Sequence, residues 1–517
     1  MDRSASKSFS SVELGLFASR IAAICEEMGA LLGRAAFSPN IRDRLDYSCA
    51  LFNQWGHLLG QATHIPVHLG SMAYAMVDLV NSRQWQAGDM LILNDPYKGG
   101  THLPDITVLA PVFSGRELIG FCANRAHHAD IGSDAPGSMP VSSTLAEEGL
   151  LIPPTLMMKN GKVDDDLLRS MLQKLTNPDT SRGDFNAQIA ANLLGVGRLR
   201  RLVDATGLAE FEQLEKALQS WAETLARKSL TNIPNGSYQF EDYLDDDGHG
   251  QKDIPVRVTL SINDDGVDID FSGTAMQVKG NLNCPMPVTA AAVFYVFRCL
   301  MPAHLPACHG ALQGISISAP KGCLVNAAAP AAVAAGNVET SSRIVDAVCG
   351  ALAQALPDQV SAASQGTMNN LAMGSHGENG WDYYETLAGG MGAAFDSNGC
   401  SARHSHMTNT LNTPVEVLEL NYPLRIERYA IRRGSGGGGE FRGGDGVERR
   451  YRFLADAEVS LLTDRRRYPP WGLDGGGPGS RGRNELDGQK IQGKVRFYAV
   501  AGQTLTIKTP GGGGYGS

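Results

Sequence analysis

This 517-residue sequence predicts an α+β protein: mixed β-sheets, a helical insert, and a β-rich, glycine-rich C-terminal region. Three observations predict that class. Short β-prone runs bounded by Gly, Pro, Asn or Asp recur before residue 160 and again after residue 233. Apolar residues at helical spacing fill most of the stretch between. Clusters drawn from the 60 glycines then punctuate the last part of the chain. Four regions follow: 1–160, an α/β region with candidate metal ligands; 161–232, the helical insert; 233–420, mixed α/β; and 421–517, β-rich.

Taken in order, Ser11 to Ala36 carries Leu14, Phe17, Ile21, Ile24, Met28 and Leu31 at helical spacing, a long amphipathic helix. "DYSCALFNQWGHLLGQA" reads as a strand hairpin. Three apolar strands follow, at Met90 to Leu93, Ile106 to Phe113 and Leu118 to Ala123, with histidines and aspartates gathered where they end. Leu167 to Leu230 is helical by periodicity, an insert or arm for which partner docking is one use. "GSYQFEDYLDDDGHGQKDIPVRVTLSINDDGVDIDFSG" alternates apolar and polar residues between Asp/Gly turns, the pattern of an antiparallel sheet. Helices are expected at Val288 to Leu300 and Ser341 to Leu356. The last ~80 residues return to strands between glycine clusters that supply turns with positive φ or backbone amides facing a partner.

Composition excludes several function classes. A net charge of −9 and a pI near 5.8 leave no overall basic field, so nucleic acid is not an expected partner. The one basic cluster, "TDRRRYPPW" at Thr463 to Trp471, reads as a solvated turn or a local ion-pair cluster. Nine cysteines stand singly, with no CxxC, which argues for a reducing interior. No signal peptide is legible, and no stretch reaches the ~20 apolar residues that span a bilayer; a soluble, cytoplasmic protein is expected. "GSGGGG" satisfies the dinucleotide fingerprint formally but opens no βαβ unit, and GxxxxGK[ST] is absent. If a nucleoside triphosphate is used, another chain is expected to bind it.

The chemistry is concentrated in "GGTHLPDI" and "RAHHADIG". His102 and Asp105 stand three positions apart, but Pro104 opposes a helix, so neighbouring strand ends must gather the pair with the second cluster. Two imidazoles and a carboxylate with open positions suit Mn, Fe or Zn. Adjacent strand residues face opposite ways, so one histidine of the pair can reach a metal, and His127 is chosen over His128. Asp46 in "RDRLDYSCALF" is a further ligand or the proton-transfer group, with a surface ion pair to Arg42 or Arg44 as the plainer alternative. His64 and His68 either steady the ligands from behind or simply pack; Glu385, His404 and His406 are better read as loop-pinning hydrogen-bonders.

Beyond these residues, "RLDYSCALF", "HIPVHLGSM", "NDPYKGGTHLPDITVLAPVF", "EEGLLIPP", "GNLNCP", "GNVETSSRIVDAV", "HMTNTLNTPVEVLE" and "TPGGGGYG" resemble the hydantoinase B/oxoprolinase family, from about residue 38 onward and in family order. That family includes the B subunits of ATP-dependent N-methylhydantoinases, the C-terminal half of 5-oxoprolinases and the longer α subunits of acetone carboxylases. The resemblance implies a metal held by His102, Asp105 and His127, the same three that spacing selects. It implies a hetero-oligomer with a hydantoinase A type partner, an actin-like ATPase that binds ATP and phosphorylates an amide or carbonyl oxygen. One departure is Ser133 and Asp134, where the family loop is expected to be richer in glycine.

The leading expectation is ATP-dependent opening of a hydantoin, lactam or 5-oxoproline-like ring, with Asp46 moving a proton and His128 or Asp130 orienting the ligands. ATP-dependent carboxylation of a ketone and a non-catalytic scaffold for an ATPase are the alternatives.

Overall fold

The protein is described from a computed structural model covering residues 8–375, 377 and 380–517. Helix α1 (Ser11–Ala35) opens it, set by a capping box in which the Ser10 hydroxyl accepts from the Glu13 amide and the Glu13 carboxylate accepts from the Ser10 amide. A short turn of helix, α2 (Pro39–Arg42), leads into β1 (Tyr47–Asn53) and β2 (Leu58–Gln61), the expected hairpin. After α3 (Pro66–Asn81) come β3 (Met90–Leu93), β4 (Asp105–Ser114), β5 (Glu117–His127), β6 (Thr155–Lys159) and β7 (Lys162–Val163). These seven strands form one antiparallel sheet in the order β2-β1-β5-β4-β3-β6-β7.

Both faces of this sheet are covered, which is why its strands read as near-continuous apolar runs. Phe52, Phe121 and Ala123 face α3 through Leu69, Met72 and Met76, whereas Cys49, Leu51 and Cys122 face α1. The helical insert comprises α4 (Asp165–Leu172), α5 (Pro178–Thr206) and α6 (Leu208–Leu230). It is not a free arm: α5 packs against α1 and across β4 and β5, where Asn124 Nδ2 donates to the Gln188 carbonyl at 2.8 Å. The physical reason is apolar and amide-bearing side chains on the sheet face that need a cover.

The next sheet contains β8 (Gly236–Asp246), β9 (Lys252–Asn263), β10 (Gly266–Asp270) and β11 (Ile315–Ser318), antiparallel except for the β10–β11 pair. Helices α7 (Met286–Cys299) and α8 (Ser341–Leu352) match the expected pair, and a π-helical turn at Gly336–Thr340 runs into α8. The remaining elements are β12 (Asn370–Ser375), β13 (Trp381–Glu385), α9 (Val415–Asn421), β14 (Leu424–Arg432), β15 (Gly446–Phe453), β16 (Ala457–Leu462), β17 (Arg483–Leu486), β18 (Gln489–Ile491), β19 (Lys494–Ala499) and β20 (Thr504–Lys508). They form two antiparallel sheets, β13-β12-β16-β19 and β14-β15-β20-β17-β18.

The glycines at 511–514 neither turn with positive φ nor face outward. They are buried, with Gly512 N–H donating to the Gly444 carbonyl and Gly437 N–H to the Gly512 carbonyl, each at 2.9 Å. A Cβ on Gly512 would lie 2.0 Å from the Met391 carbonyl oxygen, so close backbone packing within this chain demands glycine there. The basic cluster is likewise mostly internal: Arg465 is fully buried and pairs with Asp242 at 2.8 Å and Asp346 at 2.5 Å. It is an ion-pair cluster rather than a solvated turn. Among the described residues, no helix is long and apolar enough to cross a membrane.

Candidate metal centre

Antiparallel pairing of β4 with β5 sets Asp105, the first residue of β4, directly opposite His127, the last of β5. The hairpin fixes that register, so the carboxylate and the imidazole are brought together by the same pairing that builds the sheet. His102 joins them through a tight turn, not a helix: the Asp105 N–H donates to the His102 carbonyl at 3.1 Å, with Pro104 inside the turn. His128 secures this turn through its backbone, its N–H donating to the Pro104 carbonyl at 2.9 Å. Among the described residues, His102, Asp105 and His127 are the group able to hold a metal, their ligand atoms all within 4.8 Å of one another.

The donor atoms fit a cation. His102 Nε2, Asp105 Oδ1 and His127 Nε2 are buried, and none has a hydrogen-bond partner of adequate geometry. His102 Nε2 and Asp105 Oδ1 are 3.1 Å apart. Unpaired buried polar atoms are costly, and three that converge call for a shared partner. The other side of each ligand is occupied: His102 Nδ1 faces the Ala334 carbonyl at 3.2 Å, His127 Nδ1 faces Asn40 Nδ2 at 3.2 Å, and Asp105 Oδ2 accepts from Thr101 Oγ1 at 2.6 Å and Asn337 Nδ2 at 3.2 Å. Such outer contacts orient metal ligands.

Electrostatics follow from burial and from these neighbours. Burial by itself raises the Asp105 pKa, but His102 and His68 outweigh it and hold the carboxyl well below its ordinary range. Burial opposes protonation of His102, yet Asp105 raises its pKa above the usual value. His127 is lowered well below, first by burial and then by His102, so it stands neutral with a lone pair to offer.

Asp46 precedes β1, whose pairing with β5 brings it to the same place: its carbonyl accepts from the His127 N–H at 3.0 Å. The ion pair that local sequence also suggests is made with Arg44, at 3.9 Å, but it is buried and not at the surface: Asp46 is only 6% exposed and Arg44 is fully buried. Burial raises the Asp46 pKa, against the influence of Arg44 and His68. Asp46, His68, His127 and Asn337 line a cavity of about 20 Å³, room for about one water.

Other expectations fare unevenly. His68, in the first turn of α3, is part of the cluster, with Nε2 at 3.2 Å from Asp105 Oδ1 and 4.0 Å from Asp46 Oδ1. The side chains of His128 and Asp130 are not brought to it: His128 Nε2 meets Gln188 Oε1 at 3.0 Å, and Asp130 accepts from the Gly132 and Asn177 amides. The alternation that turns His127 inward turns His128 toward α5. His64 accepts from the Cys49 amide at 3.1 Å. Glu385 pins a loop through Asn412 Nδ2 at 2.9 Å, whereas both ring nitrogens of His404 lack partners and burial lowers its pKa to about 3. His406 Nε2 lies 3.9 Å from Asp346.

Several residues of the site carry no local signal. Tyr384 stacks on His127 with ring centroids 4.8 Å apart. Glu148 accepts from the Val333 and Ala334 amides at 2.8 and 2.9 Å, holding the segment whose carbonyl His102 faces. Asn337 lies in the π-helical turn, a feature frequent at functional sites. Only the "EEGLLIPP" and "GNVETSSRIVDAV" motifs point at these last two segments.

Residues 10–517 match the model of the family described as hydantoinase B/oxoprolinase. Among curated proteins, 5-oxoprolinase 1 of Arabidopsis thaliana is 38% identical, the match covering 98% of this chain but 42% of that protein. A Pseudomonas sp. protein named as the B component of a D-/L-hydantoinase is 31% identical over 96% of this chain and 88% of its own length. The chain thus spans about two fifths of the 5-oxoprolinase and most of the hydantoinase component. Of solved structures, an ATP-dependent caprolactamase from Pseudomonas jessenii superposes with a TM-score of 0.92 at 27% identity, covering 99% of this chain and 92% of that one. A nucleotide-free acetone carboxylase, with a TM-score of 0.87 and 20% identity over 98% and 76% of the two chains, shares the fold. The chain belongs to the hydantoinase B/oxoprolinase family.

Proposed function

We propose that this chain is the metal-dependent subunit of an ATP-dependent cyclic amidohydrolase that opens a hydantoin, lactam or 5-oxoproline-like ring. The observation that carries the reading is the convergence of three buried, unpartnered donors, His102 Nε2, Asp105 Oδ1 and His127 Nε2, beside a cavity lined by Asp46. The names of the hydantoinase component, the 5-oxoprolinase and the caprolactamase support the substrate class. Ketone carboxylation rests on the shared fold alone.

Amide resonance makes ring opening slow. A separate hydantoinase A type ATPase binds ATP and transfers its γ-phosphoryl group to the ring carbonyl oxygen, releasing ADP and making the ring carbon a better electrophile. Once water adds and the ring C–N bond breaks, the acyl phosphate that remains is hydrolysed by a second water to carboxylate and phosphate. The hydantoinase relative is itself named as one component of a multi-chain enzyme, which supports such a partner. His102, Asp105 and His127 would hold a divalent ion of the Mn, Fe or Zn type; bound there, it supplies Lewis acidity and makes water more acidic.

Asp46 accepts the proton of the attacking water at a carboxylate oxygen and returns it to the departing ring nitrogen. Its burial and raised pKa suit a group that must both take and give a proton. Tyr384 and Asn40 fix the His127 ring, and the Ala334 carbonyl holds His102 in the tautomer that leaves Nε2 free. His128 and Asp130 anchor α5 and its approach to the turn instead of orienting ligands. The test is to purify the chain with its ATPase and assay hydantoins, lactams and 5-oxoproline with ATP. His102→Ala and Asp105→Ala are expected to lose both metal and ring opening; retention of both would refute the assignment.

A further inference from the structure

One residue beyond Met368, which lines the cavity beside the metal cluster, Asn369 holds an arginine that belongs to a different cleft. That cleft, of about 560 Å³, is lined by Arg432, Arg466, Arg481, Arg483 and Lys490, with Ser480 and adjoining Gly and Pro residues, and by no carboxylate. It has no lining residue in common with the cavity beside the metal cluster.

The cations are only partly neutralised. The Arg466 guanidinium donates to uncharged oxygens, those of Asn369 Oδ1 at 2.7 Å, the Asp464 carbonyl at 2.6 Å and Asn484 Oδ1 at 2.8 Å, and its Nε is buried without a partner. Its backbone N–H donates to Asp245 Oδ2 at 2.5 Å, and Glu339, Asp245 and Asp464 counter, without overcoming, the burial that lowers its pKa to about 10. Arg432 donates to the Arg481 and Thr509 carbonyls. Burial lowers the Arg432 pKa; Glu448 counteracts this and Arg483 adds to it. Arg483 forms an ion pair with Glu485 at 2.6 Å. Among the described residues, no ion pair engages Arg481 or Lys490, and both are exposed. Gly482 completes the cleft: a Cβ there would lie 2.8 Å from the Arg466 Cζ, so the bare backbone leaves room for that guanidinium.

A chain of net charge −9 that gathers five cations around one concave surface carries a repulsion that an anion would relieve. Planar guanidinium forks match a phosphate group bidentately, and lysine adds a point charge. The volume lies within the range of small-molecule pockets. We propose that this cleft binds a phosphate group, carried either by a small phosphate or phosphorylated molecule or by the polyphosphate of a nucleotide. The site is independent of the ring-opening reading, since none of its residues serves the metal cluster.

Calorimetric titration of the 517-residue chain with inorganic phosphate, pyrophosphate and magnesium-free ATP, against acetate as control, tests it. Saturable binding to phosphate-bearing probes but not acetate is expected, weakening with added salt. Tighter binding of ATP than of pyrophosphate assigns a nucleotide; equal binding assigns the phosphate groups alone. Arg481→Glu and Lys490→Glu should each weaken binding by about tenfold with unchanged melting temperature. His102→Ala should leave binding intact, which separates the cleft from phosphate held at the metal cluster. Absence of saturable binding, equal affinity in the charge-reversed variants, or loss of binding in His102→Ala would overturn the proposal.

Discussion

His68 Nε2 lies 3.2 Å from the same Asp105 oxygen that faces His102, and its Nδ1 is 3.4 Å from Ser48 Oγ. A side chain so placed steadies the carboxylate, so His68→Ala should weaken metal binding by about 10- to 100-fold, read by competition with a chromophoric chelator. Unchanged affinity would make His68 a packing residue only. Asp46→Asn keeps shape but removes the proton acceptor; kcat should fall by about 10²- to 10⁴-fold while metal content stays at the wild-type level. Loss of metal in this variant would instead make Asp46 a ligand. At this scale the sequence discloses His102, Asp105 and His127, because short spacing and strand alternation are local properties. It leaves His68 open and is silent on Tyr384, since their relation to the cluster is created by contacts across distant segments.

The β4–β5 hairpin is the element on which the site depends: its register sets Asp105 against His127, and a slip by one residue would turn one of them away. Strands β1 to β5 and β8 to β10, the C-terminal strands and helices α1 and α4 to α8 are legible from periodicity and turn residues, including the hairpin at Tyr47 and the helices near Val288 and Ser341. By contrast, α2, α3, α9, β6, β7 and β11 to β13 carry too short or too uniformly apolar a pattern to be read. The π-helical turn at Gly336–Thr340 is not, because no local pattern separates it from the start of α8. The glycine clusters are visible but their purpose is not, since close approach of extended backbones depends on which segments meet. Gly512→Ala tests that purpose. Its Cβ would strike the Met391 backbone, which cannot give way like a side chain, so a loss of more than about 3 kcal/mol in stability is expected. A variant melting at the wild-type temperature would contradict it.

Across the whole molecule, buried charges tie separate sheets and helices together. Asp464 receives Lys494 Nζ at 2.7 Å and lies 3.1 Å from Arg343, which also reaches Asp242 at 3.1 Å. Burial would raise the Asp464 pKa, but Lys494 and Arg343 hold it at about 2. An unfolded aspartate titrates near ~3.9, so this stabilisation is full above about pH 4 and is lost as the pH falls through about 2. Asp464→Asn should lower stability at neutral pH by about 3–5 kcal/mol and flatten the acid limb of a stability–pH profile; an unchanged limb would show that other carboxylates set it. In the sequence, Asp464 stands at the edge of a basic run, and only the fold shows that Lys494 and Arg343 are its buried partners.

The central claim, that His102, Asp105 and His127 grip one divalent ion, is met most directly by elemental analysis of the purified chain after equilibration with Mn, Fe or Zn. About one ion per chain is expected in the wild type and close to none in a folded His102→Ala/Asp105→Ala/His127→Ala variant. Equal stoichiometry in the two proteins, or no retained ion in the wild type, would contradict it.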